Sequence, residues 1–139
     1  MHPGLSAKGA YRIAGITYRE GHYWRRCGIV KPSDVTPGKH ARYSLRDVIA
    51  LRVVRDLRAA ELPLQRVRRA VEKLRREPEG WPPTARLLTD GREVWIAPTD
   101  QDLIALLGRP GQVTMRAVLD LGGIAREVRA AVAREARAA

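Results

Sequence analysis

The chain has few of the residues that build disulfides, zinc centres or membrane segments. Among its 139 residues there is one cysteine, Cys27, so it can form no internal disulfide and no cysteine-rich zinc site. No run of about 18 apolar residues occurs, and the N-terminal stretch lacks the apolar core of a secretory signal. These absences predict a cytoplasmic protein with no membrane partner.

The sequence also lacks the short motifs of the common enzyme classes. It contains no G-x-x-x-x-G-K-[ST] phosphate loop, no H-E-x-x-H zinc motif and no G-x-S-x-G nucleophile elbow. Residues 77–139 contain neither Cys nor His, which argues against a sensor of soft metals or thiols in that half. We therefore expect no catalytic residue, no cofactor and no metal site.

Positive charge is what the chain has in excess, and the excess lies in its first half. The formal net charge is +11. Residues 1–76 contain 18 Lys and Arg against 6 Asp and Glu, whereas residues 77–139 contain 8 against 9. A basic surface attracts polyanions and gains affinity by releasing their counterions. The first half is therefore predicted to bind nucleic acid, and the neutral second half to contact protein.

Local signals in the first 30 residues predict two short helices joined by a turn. Ser6 is a candidate N-cap for a helix to residue 14, and Gly15 is free to take a positive φ in the turn. Thr17 and Glu20 match the capping-box pattern, so a second helix is expected over residues 18–27, with Gly28 as its stop.

A wing and two longer helices are predicted next. Pro37-Gly38 is a turn signal between short flanks of strand character, which indicates a hairpin over residues 35–43. Ser44 and Asp47 repeat the capping pattern for a third helix to about residue 60. Pro63 opens a fourth helix, whose apolar residues fall on one stripe. Those residues are Leu64, Val67, Val71 and Leu74.

The second half predicts a small α+β domain. The segment EPEGWPP, residues 77–83, cannot continue a helix, so we predict domains at residues 1–76 and 77–139. Asp90-Gly91 predicts a hairpin, and Thr99 can cap a helix. The full set comprises strands at 85–89 and 93–97, a helix to Leu107, a turn at 108–111, a strand at Gln112–Met115, and a final helix Ile124–Arg137 preceded by Gly122-Gly123. The fold class is thus mainly α with small β.

The second helix carries the residue types that read a DNA groove. At 100° per residue, Arg19, His22, Tyr23 and Arg26 share one face, while Ile16, Trp24 and Cys27 point inward. An arginine can bond both acceptors of a guanine, and Tyr and His reach phosphates or bases. A helix N-terminus also binds phosphate. The predicted DNA-binding residues are Thr17, Tyr18, Arg19, His22, Tyr23 and Arg26 of the helix and Lys39, His40 and Arg42 of the wing.

Two segments together resemble a known family. GITYREGHYWRRCGIVKPS followed by RYSLRDVIALRVVRDLRAAELPLQRVRRAVEKL resembles the winged helix-turn-helix domain of MerR-type bacterial transcription regulators, over roughly residues 5–76. The likeness is greatest to the actinobacterial-like branch. It implies that Arg19 contacts a base or phosphate and that Tyr43-Ser44 close the wing.

Three departures from the family pattern bear on mechanism. The family's wing arginine is Ala41 here, with Arg42 adjacent, and its usual leucine is Gly21, which is expected to weaken the helix by up to about 1 kcal/mol. The long dimerising coiled coil is absent after residue 76. Because operator-twisting activation depends on that dimer, this mechanism is not carried over.

The sequence leaves more than one function open. We expect a sequence-specific, double-stranded DNA-binding transcription regulator that acts as a homodimer at the nucleoid. One alternative is an antitoxin that autoregulates its operon and binds a toxin through its C-terminal half. Another is a non-specific architectural nucleic-acid-binding protein. Residues 77–139 would serve dimerisation, an effector, or a protein partner such as a toxin or RNA polymerase.

Overall fold

The computed structural model describes residues 4–108 and 114–138, with side chains up to residue 137. Helices predominate over a small sheet, as the sequence predicts. The elements in this part of the chain are α1 (Ala7–Ala14), α2 (Tyr18–Arg26), α3 (Leu45–Ala59), α4 (Leu64–Arg75), β1 (Arg86–Thr89), β2 (Val94–Ala97), α5 (Asp100–Leu107), β3 (Ala117–Asp120) and α6 (Leu121–Ala138).

The chain divides into two compact units. The first comprises residues up to Arg55 together with those from Ala125 onward, and the second runs from Asp56 to Ile124. Both dividing points therefore fall inside helices, α3 and α6. The boundaries of these two units differ from the predicted domain boundary after residue 76. The division into domains at residues 1–76 and 77–139 remains a prediction.

The first two helices begin and end where local chemistry predicts. The Ser6 hydroxyl accepts a hydrogen bond from the Gly9 N–H at 3.2 Å, and Gly15 ends α1 with a φ of 76°. At the start of α2, the Thr17 hydroxyl accepts from Glu20 N at 3.1 Å and the Glu20 carboxylate accepts from Thr17 N at 2.9 Å. This reciprocal capping box satisfies two N–H groups that the helix itself leaves unpaired.

The wing (residues 34–43) is less regular than the predicted hairpin. Its arms meet in a single bridge, in which Asp34 and Arg42 exchange backbone hydrogen bonds of 3.1 and 2.8 Å. Gly38 takes the positive φ of the turn, at 80°. Pro37 has no N–H to donate and the arms are short, so they form one bridge rather than two strands. The prediction of flanking strands was therefore wrong in detail.

The core of the first unit is centred on α3. Val48, Leu51, Val53 and Val54 are completely buried. Because these positions surround much of the helix, α3 is apolar on most sides rather than along one stripe. Leu45 and Ile49 are only half-buried.

The second unit contains a three-stranded antiparallel sheet in the order β2-β1-β3. The predicted hairpin is present, with Thr89 opposite Val94 at its closed end. The Asp90 carboxylate shapes its turn by accepting from the N–H groups of Arg92 and Glu93, at 2.8 and 2.7 Å. The predicted helix after Thr99 is also confirmed, and Thr99 and Asp102 form its capping box.

Two predictions in the second half were wrong. Thr114 and Met115 lie outside any strand, and the third strand is Ala117–Asp120, which pairs with β1. The last helix begins at Leu121 instead of Ile124, because the Asp120 carboxylate accepts from Gly123 N at 2.9 Å and caps it. The remainder of the predicted turn and strand, residues 109–113, lies outside the described residues.

Among the helices that the structure describes, none combines the length and the apolar character that crossing a lipid bilayer requires.

Candidate nucleic-acid interface

The outer face of α2 presents basic and aromatic side chains to solvent. Arg19, His22, Tyr23 and Arg26 are all exposed, with Tyr23 at 46 %. The inner face packs Trp24, which is 5 % exposed and belongs to the core. A capped helix anchored by a buried tryptophan therefore holds two arginines, a histidine and a tyrosine on one accessible side.

Two predicted site residues stack on each other at the start of this helix. The rings of Tyr18 and His22 lie nearly parallel, at 9°, with centroids 6.1 Å apart. Tyr18 is also 62 % exposed. Thr17, one residue earlier, is engaged in the capping box through both its hydroxyl and its backbone N–H.

The three predicted wing residues surround one shallow groove. Lys39, His40 and Arg42 line it together with Asp34 and Thr36, and its volume is about 490 Å³. All three basic side chains are exposed. The wing thus gathers its positive groups at one surface, with Asp34 as the acidic residue among them.

A buried carboxylate accepts hydrogen bonds from the residues that flank the wing on both sides. Asp47 has no solvent exposure, and its oxygens accept from Ser33 N at 2.8 Å, the Ser33 hydroxyl at 2.7 Å and Ser44 N at 2.7 Å. Ser33 precedes the wing and Ser44 follows it. The sequence predicts the capping bond to Ser44, but no local pattern reveals the bond to Ser33, which lies 14 residues away.

Two buried tyrosines connect α1 with the end of the wing. The hydroxyls of Tyr11 in α1 and Tyr43 at the end of the wing are 2.6 Å apart, and their rings meet edge to face. Burial of Tyr43, together with this hydrogen bond, raises the pKa of its hydroxyl, which stays protonated at neutral pH. Sequence reasoning missed Tyr11, because nothing local marks a contact across 32 residues.

The chemistry of this surface suits a polyanion. Guanidinium and ammonium groups bind phosphate, and arginine, tyrosine and histidine can bond base edges. Within the described ranges, no group of three or more His, Cys, Asp or Glu side chains is arranged to hold a metal ion. Two capped helices at a turn, followed by an anchored basic wing, define a winged helix-turn-helix protein.

Comparison with known proteins agrees with this class. The model of the MerR HTH family regulatory proteins matches residues 5–74. Uncharacterized HTH-type transcriptional regulators from Mycobacterium bovis and from two strains of Mycobacterium tuberculosis are each 32 % identical over 107 residues. That alignment covers 75 % of this chain and 48 % of each relative, so the chain spans about half the length of the curated relatives it matches.

The chain belongs to the MerR family of helix-turn-helix proteins. The family match confirms the resemblance found in the sequence and extends over α1, α2, the wing, α3 and nearly all of α4. It ends before the sheet of the second unit.

Proposed function

We propose that the protein is a transcription regulator that binds specific double-stranded DNA sequences. In this proposal α2 enters the major groove and the wing lies on the flanking backbone. Membership of the MerR family supports DNA binding, and the names of the mycobacterial relatives support regulation of transcription. The same considerations favour a regulator over an enzyme.

The exposed face of α2 is the observation that carries the proposal. It holds Arg19 and Arg26 without burying either, and both lie beside an exposed Tyr23. An arginine bonded to O6 and N7 of a guanine discriminates that base by about 1–3 kcal/mol. A merely solvated helix face has no need of Tyr23, whose ring is 46 % exposed in a chain with seven aromatic residues.

The remaining site residues are assigned by their position. Tyr18 and His22, stacked together, lie near the N-terminal end of α2, where recognition helices contact bases. The backbone around Thr17 offers the helix N-terminus to a phosphate. Lys39, His40 and Arg42 are assigned to the sugar-phosphate backbone, where they strengthen binding to any sequence.

We expect the protein to bind DNA as a homodimer, because its recognition helix α2 is short. A helix of nine residues contacts few base pairs, and two copies on half-sites one helical turn apart multiply the specificity. The near-neutral charge of residues 77–139 makes that half suited to contact a second copy. Such a protein would act at the nucleoid, in the cytoplasm.

Substitution of the outer face of α2 tests the proposal. We expect Arg19→Ala and Tyr23→Ala each to weaken binding to the preferred duplex by about 1–3 kcal/mol, or about 5- to 150-fold. Fluorescence anisotropy with a labelled duplex measures this. Arg92→Ala, at an exposed arginine of the β1–β2 turn, is the matched control and should retain full affinity. Unchanged affinity in both α2 variants contradicts the assignment.

A further inference from the structure

The ring of Tyr11 lies directly against the backbone of α2 at Gly21. Gly21 is buried in the middle of that nine-residue helix. A methyl group at residue 21 would lie 2.5 Å from both Cε1 and Cζ of Tyr11, closer than carbon atoms approach without a shift of structure. Glycine weakens a helix, so its place here is explained by the room that it leaves for the tyrosine ring.

Tyr11 has little freedom to move out of that gap. Its side chain is 2 % exposed, and its hydroxyl is 2.6 Å from the hydroxyl of Tyr43, which has no exposure at all. The ring also packs against that of Tyr18, with centroids 5.5 Å apart. The ring is therefore held by Tyr43 at its hydroxyl and by its contacts with Tyr18 and Gly21.

These contacts connect the two elements of the proposed DNA surface. Tyr43 ends the wing, and its backbone exchanges hydrogen bonds of 2.7 and 2.8 Å with Leu5. Tyr18 begins α2 and stacks on His22. A single α1 side chain thus touches the recognition helix at two residues and the end of the wing at a third, without lying on the outer face itself.

We infer that Tyr11 is a positioning residue that fixes the position of the recognition helix relative to the wing. Gly21 leaves the space that the Tyr11 ring requires. The inference rests on the proposed function. Helix and wing must engage one duplex together, so a change in their relative placement should lower discrimination between sequences more than it lowers binding to DNA in general.

The experiment compares Gly21→Ala with a variant in which the clash is relieved. The relieved variant combines Gly21→Ala with Tyr11→Leu and Tyr43→Phe, so that a methyl fits and no buried hydroxyl loses its partner. Each protein is titrated against a duplex selected from a random pool by the unmodified protein, and against a scrambled duplex. Thermal unfolding is followed in parallel.

We expect Gly21→Ala to lower both the unfolding midpoint and the ratio of specific to scrambled affinity. In the relieved variant the midpoint should rise above that of Gly21→Ala, because the methyl group no longer meets the tyrosine ring. The affinity ratio should stay reduced by about tenfold or more, with scrambled binding little changed. A purely structural role predicts instead that the ratio recovers together with the midpoint.

A second variant covers the case in which the relieved variant does not fold. Tyr11→Phe with Tyr43→Phe keeps both rings and removes both hydroxyls, and we expect it to fold with a reduced affinity ratio. An unchanged ratio in this variant, or an unaffected Gly21→Ala protein, overturns the inference while leaving the proposed function intact. No duplex preference in the unmodified protein overturns the proposed function and this inference with it.

Discussion

Replacing Asp47 with alanine is expected to lower the free energy of unfolding by about 2–5 kcal/mol. The carboxylate is fully buried and accepts from the backbone N–H groups of Ser33 and Ser44. Each buried donor left without an acceptor costs about 1–3 kcal/mol. The variant also releases both ends of the wing, so DNA affinity should fall as well.

Urea denaturation measures the effect of Asp47→Ala as a lower midpoint at an unchanged slope. Asp34→Ala is the control, because Asp34 is an exposed acid of the same wing and the hydrogen bond that it accepts from the Thr36 hydroxyl is also exposed. It should change stability by less than about 1 kcal/mol. Equal stability of the two variants would show that Asp47 does not anchor the wing.

Gly122→Ala is expected to destabilise the second unit by about 2–3 kcal/mol. A methyl group at residue 122 would overlap the carbonyl group of Pro83, coming within 2.6 Å of its carbon. Both partners belong to the backbone, so no side-chain rotation relieves the overlap, and the start of α6 must shift. The better helix propensity of alanine, about 1 kcal/mol, offsets only part of this cost.

Gly9→Ala provides the matched control for Gly122→Ala. Gly9 is also a buried glycine inside a helix, but a methyl group there meets the Ser6 hydroxyl oxygen at an ordinary 3.4 Å. This substitution should therefore raise stability by up to about 1 kcal/mol. Thermal unfolding of the two variants should shift in opposite directions, and a stabilising Gly122→Ala would contradict the close approach seen in the structure.

Local chemistry accounts for much of the fold. The capping box of Thr17 and Glu20, the positive φ of Gly15 and the Asp-Gly turn at residue 90 depend on neighbours in sequence, and all three are predicted correctly. The third strand is harder to predict, because Ala117–Asp120 becomes a strand through pairing with β1, a tertiary event. The last helix starts early through the cap from Asp120.

The supports of the candidate site depend on long-range contacts. Arg19 and Tyr23 follow from helical periodicity, since a capped helix with Trp24 inside leaves them outside. Tyr11 and Tyr43 come together across 32 residues. From the sequence alone, Gly21 is expected only to weaken the helix. The structure shows that the absence of a side chain at residue 21 leaves room for the Tyr11 ring.

Selection of bound fragments is the most direct test of whether the protein recognises specific double-stranded DNA. Genomic fragments are selected with purified protein, and the best one is titrated against scrambled duplex at about 150 mM salt. Specific recognition predicts one enriched palindromic motif and a specificity ratio of about 10³ or more. A flat profile, with equal and salt-sensitive affinity for every duplex, would contradict it and indicate an architectural nucleic-acid-binding protein instead.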